Sequence, residues 1–324
     1  MIQQILSRRF VSAVFAASLA LSAADASAAG KAPTPKEAKV NTIIAMINSE
    51  SNFVYKNYSG YTKVINAKAG PTCKELDLQR MIGSMGDSAP DRYKGYRKAF
   101  AKAPKLEVDA QVLDMLSAVE ALYKPGNEAS EYYFKREFTK DNCKRGIELH
   151  KDLIANWTKF IEAERVVRAF LDKYTDERDV EELAKTQKKY GKGLHYYHNK
   201  LMMDAKSLVR LTDASPFDAA KMKTQLEAYD VVVGEAQALV KKEKEAKKNA
   251  DAIYQGGYQS FVDRASRYKD SIKELLRVVD EEAKDPKAAK TMPDRRKRSF
   301  ENLINSYNGL VDQSNGVMYS KTMK

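Results

Sequence analysis

Residues 131–174 read EYYFKREFTKDNCKRGIELHKDLIANWTKFIEAERVVRAFLDKY. Within them Gly146, His150, Leu153, Trp157, Phe160, Glu164, Val167, Leu171 and Tyr174 recur in alternating steps of four and three. A 3.5-residue repeat keeps such positions on one side of an α-helix, so the stretch predicts one long helix with a buried stripe. Tyr132, Tyr133, Phe134 and Phe138 form an aromatic lead-in, and Thr139 or Asp141 offers a side-chain oxygen for the first-turn amides. The stretch holds the only Trp, one of two Cys and one of three His. The period makes Trp157 and His150 packing residues first.

The same stepping recurs on both sides. Val40, Ile44, Ile47, Ser51, Val54, Tyr58, Tyr61 and Ile65 mark a helix over about Lys36–Ala67, stopped by Ala69-Gly70-Pro71. Residues 71–106 are the least regular, with short helices expected at Lys74–Met81 and Asp91–Ala101. Val108, Val112, Met115, Val119 and Leu122 mark a helix that Pro125-Gly126-Asn127 is expected to close. A further helix is expected from Thr175 to Leu211, facing its neighbours through Val180, Leu183, Gln187, Tyr190, Leu194, Tyr197 and Leu201, with Gly191 and Gly193 as a kink or a point of close approach. Pro216 suits the first turn of the next helix, whose face is Met222, Leu226, Tyr229, Val233 and Val240. Gly256-Gly257 is expected to break or bend the chain. Tyr258, Phe261, Tyr268, Ile272 and Leu275, then Phe300, Leu303, Tyr307, Leu310 and Val317, mark the last two helices.

With no sustained strand-like alternation, the fold class is all-α: an elongated, mostly antiparallel bundle of long helices crossing at shallow angles. One domain is expected over 38–324, with a subdivision near 212–216 as the alternative. Pro (9) and Gly (15) are scarce in 324 residues, which agrees with long helices.

Arg8 and Arg9 precede an apolar run, Phe10–Ala24, that ends in Ala26-Ser27-Ala28. This reads as a secretory signal over 1–28, cleaved between Ala28 and Ala29, followed by a polar leader over 29–37. The chain carries a net charge of +12. Loss of 1–28 removes Arg8, Arg9 and Asp25 and leaves +11. Export disfavours nucleic acid as the partner of that charge and leaves anionic lipid or cell-wall polymer, with an envelope protein as a further candidate partner of the chain. It also favours a disulfide between Cys73 and Cys143, the one intramolecular pairing two thiols allow. No Cys stands near the cleavage site to carry a lipid anchor. A periplasmic location follows as the expectation.

Residues 131–171 resemble the YiiG-like family of bacterial envelope proteins. The resemblance rests on Tyr132-Tyr133, Phe138, Asp141, Gly146, Leu149-His150, Leu153, Trp157 and Phe160. Asn41, Asn48, Tyr58 and Tyr61 resemble the family's opening helix, and residues 300–311, FENLINSYNGLV, its closing one. The resemblance implies a helical architecture and an envelope location; it implies no activity, cofactor or site residue. Many members are lipoproteins, from which this chain departs.

Candidate chemistry is sparse. His195 and His198 lie three apart on an expected helix and could offer two imidazoles to a metal, but two ligands do not make a site. The bland reading is an exposed or packed pair. His150 could act as a base only with a partner that the sequence does not identify. Glu164 lies about 21 Å along the same helix and cannot be that partner. There is no nucleophile elbow, zinc-protease motif, phosphate loop or dinucleotide fingerprint. The 18 Tyr fit core edges, with a Tyr-lined groove for a sugar polymer or peptide as the alternative. Arg295, Arg296, Lys297 and Arg298 open the last helix, where cations oppose the helix dipole; they are the candidate for an anionic partner, against a solvated end. The sequence therefore points to an exported helical bundle that binds or scaffolds without catalysis and without a cofactor. A metal-binding protein or hydrolase using His195 and His198, or a surface-associated factor using 295–298, are the alternatives.

Overall fold

The computed structural model describes residues 32–83, 85, 89–214, 216–245, 252–285 and 294–321. The expected signal sequence and the start of the expected leader lie outside them. The described residues form nine α-helices and no strand: α1 Pro35–Val64, α2 Ala89–Phe100, α3 Asp109–Phe134, α4 Phe138–Asp141, α5 Lys144–Tyr190, α6 Leu194–Arg210, α7 Ala219–Glu245, α8 Ala252–Lys284 and α9 Asp294–Lys321. A 3-10 turn, Leu78–Arg80, stands in the irregular region. The protein is an all-α helical bundle.

The chain divides into two compact units, Ala29–Tyr174 and Thr175–Lys324. The division falls inside α5, and the 212–216 turn lies within the second unit.

In the N-terminal unit, α1 begins with a capping box. Thr34 Oγ1 accepts from the Glu37 amide while the Glu37 carboxylate accepts from the Thr34 amide, with Pro35 in the first turn. All eight predicted stripe residues of α1 are buried. Side-chain pairs fix the directions. Tyr61 meets His150, Tyr58 meets Trp157 and Ser51 meets Glu164, so α1 and α5 are antiparallel. Lys39 meets Asp109 and Phe53 meets Tyr123, so α1 and α3 run the same way. Glu50 meets Tyr93 while Lys39 reaches the Lys102 carbonyl, so α2 opposes α1.

In the C-terminal unit α6–α9 alternate in direction. Ser207 pairs with Gln225, and the Asp204 charge acts on Tyr229, which sets α7 against α6. Tyr258 donates to the Leu194 carbonyl and Tyr268 to that of Ala205, which aligns α8 with α6. Tyr268 packs on Tyr307 and Arg295 pairs with Glu281, which sets α9 against α8. The last turns of α5 join this unit through Asp176–Arg210, Asp179–Lys206 and Thr186–Asn199. One continuous core of Leu201, Leu208, Met222, Tyr229, Phe261, Tyr268, Leu303 and Tyr307 fills it.

Four expectations are corrected. Pro125-Gly126-Asn127 does not close a helix, because α3 runs through it to Phe134. Its stripe continues in step through Gly126, Ala129 and Tyr133, and this burial outweighs the hydrogen bond that Pro125 cannot donate. No helix end separates residues 174 and 175, where α5 is continuous although the two units divide there. Gly191 and Gly193 end a helix instead of kinking one, Gly191 with φ +66°. That break resets the phase, so Val180 and Tyr190 are exposed while Thr175 and Thr186 are buried. Finally, α8 passes Gly256-Gly257 unbroken.

Candidate functional site

The structure gives the two histidines of the HYYH motif different surroundings. His198 is buried in the C-terminal core, where its Nε2 lies 2.7 Å from Ser314 Oγ. Phe261 and Tyr258 meet it edge-on, at ring distances of 4.6 and 5.9 Å. His195 is half-buried beside Tyr190, at 5.3 Å. Among the described residues no group of three His, Cys, Asp or Glu could hold a metal ion.

The densest polar constellation lies in the N-terminal unit, at the loop end of α1, α3 and α5. His150 Nδ1 is 2.9 Å from the Tyr61 hydroxyl, and the imidazole also hydrogen-bonds with the Ala67 backbone. Burial lowers the pKa of His150 below its usual value, so the ring is neutral near pH 7. Trp157 packs on both Tyr58 and Tyr61. Burial raises the pKa of both the Tyr61 and the Tyr133 phenol. The Tyr133 hydroxyl is close enough to Tyr61 to raise the pKa of that phenol, while Tyr61 lowers that of Tyr133, yet Tyr133 makes no well-formed hydrogen bond. Tyr132 is pushed up to about 12 by burial and by the Asp141 carboxylate that accepts its hydrogen bond.

Asp141 has a second task. It accepts from the Arg145 amide in the first turn of α5, which gives the expected capping oxygen two residues ahead of the N-cap position. Gly146 is dictated by this packing. A Cβ there would stand 2.8 Å from Tyr133 Oη and 3.3 Å from Cys143 Sγ. Cys73 and Cys143 sit at disulfide distance, with Cα atoms 5.7 Å apart.

Two buried carboxylates have partners that the sequence reading does not identify. Glu164 accepts from Ser51 at 2.5 Å, from Tyr55, and from Arg168 at 2.7–2.8 Å. Glu50 accepts from Tyr93 at 2.7 Å and pairs with Arg92 at 3.0 Å. A signal for the first was present. Ser51 and Glu164 are the polar interruptions of two apolar stripes, and an antiparallel register sets them opposite one another. The remaining buried charge follows the same rule: Lys39 donates to two carbonyls and Asp109, and Lys206 to Thr175 and Asp179.

The basic cluster is partly spent. Arg295 pairs with Glu281 at 2.7 Å, and Arg296 faces Glu282 at 3.7 Å while lying over Phe217 and Phe300. Lys297 and Arg298 are exposed. The tyrosines sit deeper than core edges, since Tyr58, Tyr61, Tyr93, Tyr133, Tyr229, Tyr258, Tyr268 and Tyr307 are all fully buried.

Residues 34–316 match the family model described as Protein of unknown function (DUF3829). The chain belongs to the DUF3829 family. The match spans both units and joins the opening, central and closing motifs in one family region. "Uncharacterized protein YiiG" of Escherichia coli (strain K12) is 27% identical over 262 residues, which cover 77% of this chain and 70% of that protein. No solved structure matches the chain. Among the described residues of this DUF3829 member, no helix is long and apolar enough to cross a membrane.

Proposed function

We propose that this protein is exported and works in the bacterial cell envelope, in the periplasm, as a helical binding or scaffolding protein that performs no catalysis. The observation that carries this reading is how the chemically capable side chains are used. His150, His198, Glu50 and Glu164 are each buried within one unit and matched to hydroxyls or guanidinium groups of the same unit. Such matching offsets the desolvation of polar groups and holds helices in register. A base or a metal ligand needs instead a face turned to substrate or ion. The cysteine pair and the N-terminal signal pattern support export.

The test follows the full chain in a Gram-negative host. The expected result is a periplasmic product beginning at Ala29, with Cys73 and Cys143 closed to alkylation until reduced. A product retained in the cytosol with residues 1–28 intact would overturn export. For the non-catalytic part, His150→Asn and His198→Asn should alter any cellular phenotype only as far as they lower abundance. Loss of the phenotype at normal abundance would establish a chemical role.

A further inference from the structure

The connection Asn66–Arg80 forms a strap across the end of α1, α3 and α5. Its far end is anchored by the buried Leu78 and by Gln79, which donates to the Phe134 carbonyl, while the stretch before it is held mainly by local polar contacts. Asn66 Oδ1 accepts from the amides of Lys68 and Ala69, and Glu75 Oε1 accepts from the amide and hydroxyl of Thr72. Gly70, at φ +81°, lies against the His150 ring, 3.3 Å from where its Cβ would stand. Glu75 reaches inward far enough for its charge to act on both Tyr61 and Tyr133, and its Oε2 is buried without a hydrogen bond.

Backbone strain concentrates here. All the non-glycine residues with positive φ among the described residues belong to this strap and the facing turn: Cys73, Asp77, Arg136, Asn142 and Cys143. Asp77 and Asn142 are of the types that reach that region readily, and Asn142 caps α4 in it, but Cys73, Arg136 and Cys143 keep it only where surrounding structure holds them. The link that holds both segments at once is Cys73 with Cys143, separated by 70 residues in sequence.

The two sulfurs differ in access and in chemistry. Cys73 is half-buried in the strap, whereas Cys143 is buried and immediately precedes the first turn of α5. Unpaired amides at a helix N-terminus stabilise a thiolate.

We propose that Cys73–Cys143 is a redox latch: a dithiol reductant releases the strap and admits water to the Tyr61–His150–Tyr133 cluster. The proposal rests on the bridge being formed in the exported protein. One thiolate of the dithiol attacks Cys73 Sγ, the sulfur–sulfur bond breaks, and Cys143 leaves as a thiolate. The second thiol of the reductant, once deprotonated, attacks its own sulfur in the mixed disulfide and expels Cys73. The reductant ends as a disulfide, and its two protons end on the protein thiols. With the latch open, the left-handed residues relax, Gly70 leaves the His150 ring and the Glu75 carboxylate regains water.

The latch is tested on the purified full chain. Mass spectrometry first establishes the bridge; its absence from protein recovered from the periplasm would overturn the reading on which the latch depends. The bridged protein is then treated with dithiothreitol, in parallel with a Cys73→Ser/Cys143→Ser variant that needs no reductant. Lys68 and Lys74 are exposed on the strap and serve as trypsin sites. Trp157, packed on Tyr61, reports water entry by a red shift of its emission. The expected result in both arms is at least tenfold faster cleavage at Lys68 and Lys74, with a red shift and unchanged far-UV helicity. Cleavage within twofold of the bridged protein and unchanged emission would overturn the latch. Loss of helicity on opening would also overturn it, since the bridge would then be a staple for the whole unit.

Discussion

The two units share one helical period and are held together differently. In the C-terminal unit the interior is chiefly a layer of apolar and aromatic side chains, Leu201, Tyr229, Phe261, Tyr268 and Leu303 among them, interrupted at the His198–Ser314 pair. In the N-terminal unit the stripes of α1 and α5 are interrupted by Ser51, His150 and Glu164, and each interruption is answered from the opposite helix or its own. Apolar layers hold helices together without fixing one register strongly, since neighbouring apolar contacts are similar in energy. A buried carboxylate matched to one hydroxyl fixes a single register, because a shift leaves it unpaired. The N-terminal unit is thus pinned at points, while the C-terminal unit is filled.

The sharpest break of this comparison is truncation of Glu164. Glu164→Ala leaves the Arg168 guanidinium, 17% exposed, and the Ser51 hydroxyl without their acceptor, an expected loss of about 3–5 kcal/mol in urea unfolding. Glu164→Gln keeps an acceptor in place and should lose clearly less. In the filled unit the matching truncation is Phe261→Ala, next to His198 and Tyr258, also expected to cost about 3–5 kcal/mol. There a larger apolar substitute should rescue, whereas at Glu164 none should. If Glu164→Leu proved as stable as the parent, point pinning would be the wrong account of the N-terminal unit.

This contrast also explains what could be read in the sequence. The stripes over 40–65, 219–240 and 258–275 were legible because nearly every position obeys one phase, with Ser51 a small polar member that keeps the step. Residues 180–190 were misread because Gly191 and Gly193 interrupt the phase, which frees the end of α5 to face α6 through Thr175, Asp179 and Thr186. Pro125 was misread because its local penalty is visible in sequence, while the burial of Gly126, Ala129 and Tyr133 beyond it is a tertiary effect. Of the candidate site residues, His195 and His198 looked equivalent; only the phase of α6 sends one into the core. The Tyr61–His150 pair was hidden because its members stand 89 residues apart and meet only once the antiparallel register is known.

Glycines sharpen the comparison at smaller scale. Gly146→Ala would push a methyl group to within 2.8 Å of Tyr133 Oη and 3.1–3.3 Å of Tyr132 and Cys143 Sγ, and should cost about 1–3 kcal/mol. Gly234, inside α7, has nothing within 4 Å of its would-be Cβ. Gly234→Ala should therefore stabilise by about 0.5–1 kcal/mol through helix propensity. Thermal or urea unfolding of the two variants should move in opposite directions.

The finest discriminator is pH. His150 has a folded pKa below its ordinary value of 6.5, because burial disfavours the charged ring. As pH falls through the ordinary value, the unfolded chain takes up a proton that the folded chain refuses. The unfolded state then binds more protons, so stability declines with falling pH at up to about 1.4 kcal/mol per unit, until the folded pKa is reached. Above the ordinary value both states are neutral and the slope vanishes. His150→Asn removes the titrating ring from both states, so its stability should run flatter below pH 6.5 than that of the parent, whatever its absolute cost. Since His150 belongs to the pinned unit, unfolding monitored through Trp157 should carry this dependence. A parent and a His150→Asn variant with parallel pH profiles over that range would show that the ring is already solvated and that the cluster around Tyr61 stands open.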